Sequence, residues 1–274
     1  MATGSRDRVR AWRPAVPGVA EVFHARFVDH AYPSHTHEAW TLLIIDDGAV
    51  RYDLDRHEHG AVPASVTLLP PHVAHDGRSA RPEGFRKRVV YLDDAALDAA
   101  DGTSLVGRAV DHPAVDDAVL RRRVDQLHHV LAQPGEELAA QSRLAFVTER
   151  LAAHLGARPE EPHHGEHSRD PGLAHRLRDL LDDRLVEGLG LDEASRLLHA
   201  HPTHLVRAFG TEFGLPPHRY LTGRRVDLAR RLVLEGMAPA AVATAAGFHD
   251  QAHLTRHFRR VVGTTPGRFT ARGA

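Results

Sequence analysis

Cysteine is absent from all 274 residues, which excludes disulfide scaffolds, thiolate zinc fingers, thiol redox sensing and cysteine nucleophiles. Lysine is nearly absent too. Lys87 is the only one, so 34 of the 35 basic residues are arginines. That bias fits a GC-rich genome, and the arginine count alone is no binding signal. Apolar runs such as Trp40 to Ile45 fall far short of the roughly 20 residues that span a bilayer. The N-terminus carries Arg6, Arg8, Arg10 and Arg13 with no apolar stretch behind them, unlike a signal peptide. The expectation is a soluble, cytoplasmic chain with no membrane partner.

Net charge is also nearly absent, at −1 from 35 basic and 36 acidic residues. A uniformly basic nucleic-acid coat is excluded. The balance conceals a division at Pro171: 20 basic and 26 acidic residues precede it, and 15 basic and 10 acidic follow from it, giving −6 and then +5. An acidic front and a basic back make nucleic acid a candidate partner for the back half.

The two halves differ in pattern as well. Short alternating segments at 22–28, 40–45, 50–54, 66–69 and 88–92, punctuated by Pro and Gly, predict strands of a small sandwich or barrel, with a hairpin turn at Asp47-Gly48. Val115, Val119, Val124, Leu127, Val130 and Leu131, then Leu138, Leu144, Val147, Leu151 and Leu155, recur at helical spacing. They predict an amphipathic helix pair broken at Pro134-Gly135, able to pack on its own barrel or on a second subunit. Residues 156–172 hold three Pro, three Gly and almost nothing apolar, the composition of a linker. Its histidines have nothing to hold them convergent on a metal. The segment from Leu173 onward reads as helical.

Within that segment a repeat recurs at an offset of 49 residues. His204-Leu205-Val206-Arg207-Ala208-Phe209, with Gly214, Pro217, Arg219 and Tyr220, returns as His253-Leu254-Thr255-Arg256-His257-Phe258, with Gly263, Pro266, Arg268 and Phe269. Seven of the 17 positions paired from 204 to 220 are identical. Each copy predicts a short helix (192–198; 239–246), a tight turn and a second helix (202–213; 251–262), with a longer helix over 217–234 between the copies. Burying Leu205, Ala208 and Phe209 in the first copy turns Thr203, Val206, Arg207 and Gly210 outward. Burying Leu254 and Phe258 in the second turns out Gln251, Ala252, Thr255, Arg256 and Arg259. A small, polar, arginine-bearing stripe opposite a buried one suits a helix that enters the major groove.

Residues 173–270 resemble the DNA-binding domain of the AraC/XylS family of bacterial transcription regulators, most specifically over Ala245-Ala246-Gly247-Phe248-His249-Asp250-Gln251-Ala252-His253-Leu254-Thr255-Arg256 and the closing Gly263-Thr264-Thr265-Pro266-Gly267-Arg268-Phe269. The resemblance implies two helix-turn-helix units, at about 191–213 and 239–262, with DNA contacts from Thr203, Val206 and Arg207 and from Gln251, Ala252, Thr255 and Arg256. His199 stands where the family usually has the turn glycine, a position that calls for positive φ.

In the front half, His35-Thr36-His37 and later Pro70-Pro71-His72-Val73-Ala74-His75 resemble the two halves of a cupin barrel motif. His35, His37 and His75 would form a three-imidazole set, either lining an effector pocket or holding a divalent metal. The carboxylate of metal cupins is missing, because Thr41 and Leu42 occupy its region and Glu38 points to the opposite face. His57 and His59 are expected to flank a solvated turn before Gly60.

The expected architecture is a two-domain chain. A cupin-like all-β barrel with an appended helix pair spans 15–155 for effector binding and dimerisation, a linker spans 156–172, and an all-α DNA-binding domain spans 173–270. The resemblance implies a sequence-specific transcription regulator and no enzyme. Its partners would be double-stranded DNA, a small-molecule effector and a second copy of the chain in a homodimer. The alternative is a metal-dependent cupin enzyme or metal sensor fused to a DNA-binding domain. No cofactor is expected outside the divalent metal of that alternative.

Overall fold

The structure is a computed structural model that describes residues 7–28, 31–97, 105–156, 170–262 and 264–270. Most of the expected linker, 157–169, lies outside the described residues. The chain forms two compact units, 1–132 with 143–164 and 133–142 with 165–274. No helix among the described residues is long and apolar enough to cross a membrane.

The first unit is built on two antiparallel sheets. Strands β1 (Arg8–Trp12), β2 (Val19–Phe27), β4 (Trp40–Gly48), β7 (Val66–Leu69), β9 (Phe85–Leu92) and β10 (Ala114–Val115) form one sheet in the order β1-β2-β9-β4-β7-β10. Strands β3 (Ala31–His35), β5 (Val50–Leu54), β6 (His57–Ala61) and β8 (His75–Ser79) form the other in the order β3-β8-β5-β6. Ala25, Phe27, Leu43, Ile45, Phe85 and Val89 from the first sheet meet Val50, Tyr52, Leu54 and Ala61 from the second in one core. Alternation explains this sorting, since residues two apart on a strand share a face. The opposite face of the larger sheet is covered by helix α2 (Ala118–Leu131), where Arg88 of β9 bridges Asp46 of β4 and Asp125 of α2, each at 2.6 Å. Coverage on both sides is why Trp40 to Ile45 are all buried.

Asp117 caps α2 by accepting the N–H groups of Val119 and Leu120 at 2.8 and 3.1 Å. The same carboxylate binds Arg150 and His154 of α3 (Glu137–His154), pinning the helix pair together. Helix α1 (Leu105–Asp111) precedes β10.

Four features of this unit differ from the sequence expectation. Asp47-Gly48 is no hairpin turn: β4 pairs with β7 and β9, β5 with β6 and β8, and the chain passes there from one sheet to the other. The register shifts between Ile45 and Asp47, and Gly48 has φ 76 in a place where a Cβ would overlap the Gly84 carbonyl. Val115 belongs to β10, not to the following helix. His57 and His59 lie in β6, and the His59 ring stacks on Tyr52 at 5.5 Å. Strands β1, β3 and β8 carry little apolar alternation, so cross-strand pairing and not local pattern places them.

The second unit is helical, with α4 (Pro171–Asp183), α5 (Leu191–Leu198), α6 (Pro202–Phe213), α7 (Pro217–Leu234), α8 (Pro239–Ala245), α9 (Gln251–Val262) and α10 (Pro266–Thr270). Phe209 of α6 and Phe258 of α9, equivalent in the repeat, are both fully buried. Val226, Ala229 and Val233 of α7 pack with Val242 and Ala243 of α8 and Leu254 and Phe258 of α9. His199 closes α5 with φ 50 and ψ 43, the left-handed conformation anticipated for that position.

Candidate functional site

In the β unit, His35 ends β3 and faces His75, the first residue of β8, across the ladder. His37 lies just beyond β3, where its carbonyl accepts the His72 N–H at 2.8 Å and ties the two histidine-bearing loops together. The ring centroids are 4.6 Å apart for His35 and His75, 4.8 Å for His35 and His37, and 5.1 Å for His37 and His75. Their candidate ligand nitrogens lie within 4.8 Å of one another.

The protonation pattern follows from the neighbours. His35 Nδ1 lies 2.7 Å from the Pro33 carbonyl, and His75 Nδ1 lies 3.0 Å from that of Val73. A carbonyl only accepts, so both Nδ1 atoms carry the hydrogen, which leaves Nε2 as the nitrogen each ring has available for a ligand. Burial, followed by the neighbouring His75, His35 and Lys87, lowers His37 to about 4. Burial also lowers His75. The donor set suits a divalent transition metal in nitrogen type and convergence. It lacks the carboxylate: Thr41 and Leu42 are buried in β4, and Glu38 is exposed.

The same end of the unit holds residues that motif reasoning passed over. Lys87 of β9 sits between Phe85 and Val89 on the core-facing side of the strand. Its ammonium lies 4.1 Å from the Tyr32 ring centroid and 5.6 Å from that of Phe23. Tyr91, four residues on, stacks edge-on with His37 at 5.0 Å. The signal was present as a lone lysine in an apolar alternation.

In the helical unit, Gln251, Ala252 and Arg256 are exposed and Thr255 is half-buried, so α9 presents the expected outward stripe, continued by Arg259 and Arg260. On α6 the stripe differs. Thr203 and Val206 are buried at 3% and 7% exposure, while His204, Arg207 and Thr211 are exposed. The assignment of Thr203 and Val206 to the outward face is therefore corrected. The buried stripe of α6 is broader than three residues because Val206 joins Leu205 and Phe209 in the core, and residues at i, i+3 and i+7 such as His204, Arg207 and Thr211 share the remaining face.

A second histidine cluster lies in this unit and was not anticipated. His253 and His257, one turn apart on α9, are buried beside Glu136. His257 Nε2 lies 2.8 Å from Glu136 Oε1, and Arg260 donates to His257 Nδ1 at 2.8 Å. His253 Nδ1 accepts the His249 N–H at 3.2 Å. These bonds use the lone pairs that a metal would need, and the guanidinium groups of Arg256 and Arg260 supply the positive charge. The cluster is a hydrogen-bonded network and does not fit a cation.

The family comparisons agree with this geometry. Residues 17–145 match the AraC-like ligand binding domain and residues 194–272 match a helix-turn-helix domain. The chain belongs to the AraC-type transcription regulators. The virulence regulon transcriptional activator VirF of Yersinia enterocolitica is 32% identical over 114 residues, 41% of this chain and 37% of that protein. The chain thus matches little more than a third of the length of that relative. The uncharacterized HTH-type transcriptional regulator YbfI of Bacillus subtilis is 22% identical over 250 residues, 85% of each chain. Among solved structures, the AraC-like transcriptional activator CuxR aligns over 90% of this chain and 88% of its own, with 14% identity and a TM-score of 0.43.

Proposed function

We propose that this chain is a sequence-specific DNA-binding regulator of transcription whose β unit binds a small-molecule effector. The observation that carries the proposal is the duplicated helix-turn-helix, α5 with α6 and α8 with α9, in which each second helix buries a phenylalanine stripe and presents arginine on the other side. Base and phosphate contacts are assigned to Gln251, Ala252, Thr255 and Arg256 on α9 and to Arg207 on α6, where His204 and Thr211 replace Thr203 and Val206 as its exposed neighbours. His35, His37 and His75 are assigned to the effector pocket of a sensor domain over 15–155. A linker over 156–172, whose last two residues already open α4, joins it to the DNA-binding domain over 173–270, and the helix pair α2 and α3 is assigned to homodimer formation.

Selection of binding sequences from random or genomic DNA, followed by titration of the Arg256→Ala variant, tests the DNA assignment. A base-reading arginine loses about 1–3 kcal/mol of specific affinity, and a phosphate-binding one lowers the salt slope by about one. Unchanged binding would reject the α9 face. Light scattering of the full chain tests the homodimer, and a monomer at all concentrations rejects it. Elemental analysis decides between an organic-effector pocket and a metal sensor at the three histidines. Metal content near one equivalent after purification would favour the sensor, and less than about a tenth with no uptake on soaking would favour the pocket.

A further inference from the structure

Lys87 is the only lysine in the chain, and it stands where a lysine is least expected. Its Cα partners are Ala25 on β2 and Ile45 on β4, both members of the apolar core between the sheets. Its strand neighbours on the same face, Phe85 and Val89, are almost fully buried. Lysine heads normally reach water or a carboxylate, because an unpaired ammonium in apolar surroundings is costly. Here the ammonium touches aromatic faces, Tyr32 and Phe23. Among the described residues no carboxylate forms an ion pair with it, and burial lowers its pKa to about 8.

Solvent still reaches this place. Lys87, Phe23, Tyr32, His37, Val73 and Tyr91 are half-buried although they border the core, whereas the residues below them are closed off. Phe23, Tyr32, Val73 and Tyr91 pack against the core between the sheets and edge it on the side where solvent reaches. The charge character of this side is the reverse of a metal cupin's: imidazoles and one ammonium, where a cation site would have a carboxylate. A lone cation beside apolar and aromatic walls matches a monoanion with an apolar body. The Nε2 lone pairs of His35 and His75 accept hydrogen bonds, so they suit a hydroxyl of the same ligand and not its anionic group.

We propose that the effector of this regulator is a small monocarboxylate with an apolar body, held between the sheets with its carboxylate paired to the Lys87 ammonium. The proposal rests on the effector-binding reading of the β unit and names the chemical class that unit recognises. Lys87 then acts as the specificity-determining residue, since the neutral amide of the same shape would leave the ammonium unpaired.

The single lysine makes the test direct. Reductive methylation with a carbon-13 label places one side-chain dimethylamino signal in the full-length protein, separable from that of the α-amino group. Small straight-chain, branched, alicyclic and aromatic monocarboxylates, each beside its amide, are then titrated. Saturable movement of the Lys87 signal by a carboxylate but not by its amide is the expected result. No movement with any carboxylate, or equal movement with the amides, would overturn the proposal.

Lys87→Met is expected to fold at least as stably as the parent without ligand, because an unpaired buried charge is removed, and to bind the active carboxylate roughly 30-fold or more weakly. Lys87→Arg keeps the charge and is expected to recover part of the affinity. Retained affinity in folded Lys87→Met overturns the proposal, and if that variant does not fold, the labelled parent protein decides. DNA binding of the full chain is measured in parallel. DNA binding without a carboxylate response sinks this inference and leaves the regulator reading intact, whereas a carboxylate response without DNA binding does the opposite.

Discussion

His257 donates from Nε2 to Glu136 Oε1 at 2.8 Å, and Arg256 Nη2 lies 3.3 Å from the same oxygen. One carboxylate thereby orients a buried imidazole and holds an arginine of the outward stripe of α9. A Cβ at Gly135, where φ is +81, would overlap the His253 ring, so the approach of this segment to α9 depends on glycine at that position.

Glu136→Gln keeps an acceptor for His257 but removes the charge that competes with phosphate for Arg256. Affinity for DNA is expected to rise by about two- to fivefold, the equivalent of one weak ion pair. Fluorescence anisotropy with a selected duplex measures it, and unchanged or weaker binding contradicts the competition. Burial raises the Glu136 pKa, but the His257 hydrogen bond and the electrostatic influence of His257, His253 and Arg256 outweigh it and bring it to about 2 from the usual 4.5. A depressed carboxylate stabilises above its unfolded pKa, so this contribution is complete above about pH 4.5 and fades as pH falls towards 2.

A different acid window belongs to the β unit. His24 Nε2 lies 3.2 Å from His128 Nδ1, with the His24 ring edge-on to Trp12 at 4.9 Å. Burial, then Arg88, and to a smaller extent Arg10, against the opposing Asp46, together lower His24 to about 4. His128 is pushed well down by burial, Arg88, His24 and Arg121. The unfolded chain binds protons here before the folded one does. Stability is therefore complete above about pH 6.5 and is lost as pH falls towards 4. His128 Nε2 is buried with no hydrogen-bond partner, so His128→Leu is expected to shrink the loss of melting temperature between pH 7 and 5. An unchanged slope would remove this pair as its cause.

The corrected face of α6 separates two kinds of variant. Val206→Ala opens space in the core and is expected to lower stability by about 1–2 kcal/mol, with DNA binding of the folded fraction preserved. Arg207→Ala is expected to leave the denaturation midpoint nearly unchanged and to weaken DNA binding. The reverse pattern would restore Val206 to the outward face.

His199→Gly removes the left-handed strain at the end of α5. A gain of about 1 kcal/mol in stability of the helical unit is expected from chemical denaturation. A loss would show that the imidazole makes a compensating contact.

The helical unit was legible in the sequence to the residue over α6, α7 and α9, because each helix carries its own apolar period and a glycine soon after its end, and α6 and α7 open on Pro202 and Pro217. The repeat supplied the pairing of the two helix-turn-helix units without any coordinates. The β unit was legible only in β4, β5, β7 and parts of β2 and β9, where alternation is apolar. His35 and His75, separated by forty positions in the chain, were paired by motif resemblance, and their shared ladder position confirmed the proximity.

The sequence by itself determined the charge division, the duplicated reading helices and the exclusion of sulfur chemistry, since these depend on composition and on contacts close along the chain. Tertiary structure decided which way residues far apart in sequence face one another. It buried Thr203 and Val206, turned Asp47-Gly48 from a hairpin into a passage between sheets, set Glu136 against α9, and enclosed the one lysine among aromatic side chains. Local periodicity records a helix's own stripe. It carries no account of neighbours brought in from another element, and those neighbours fix both the width of a buried face and the surroundings of a charge.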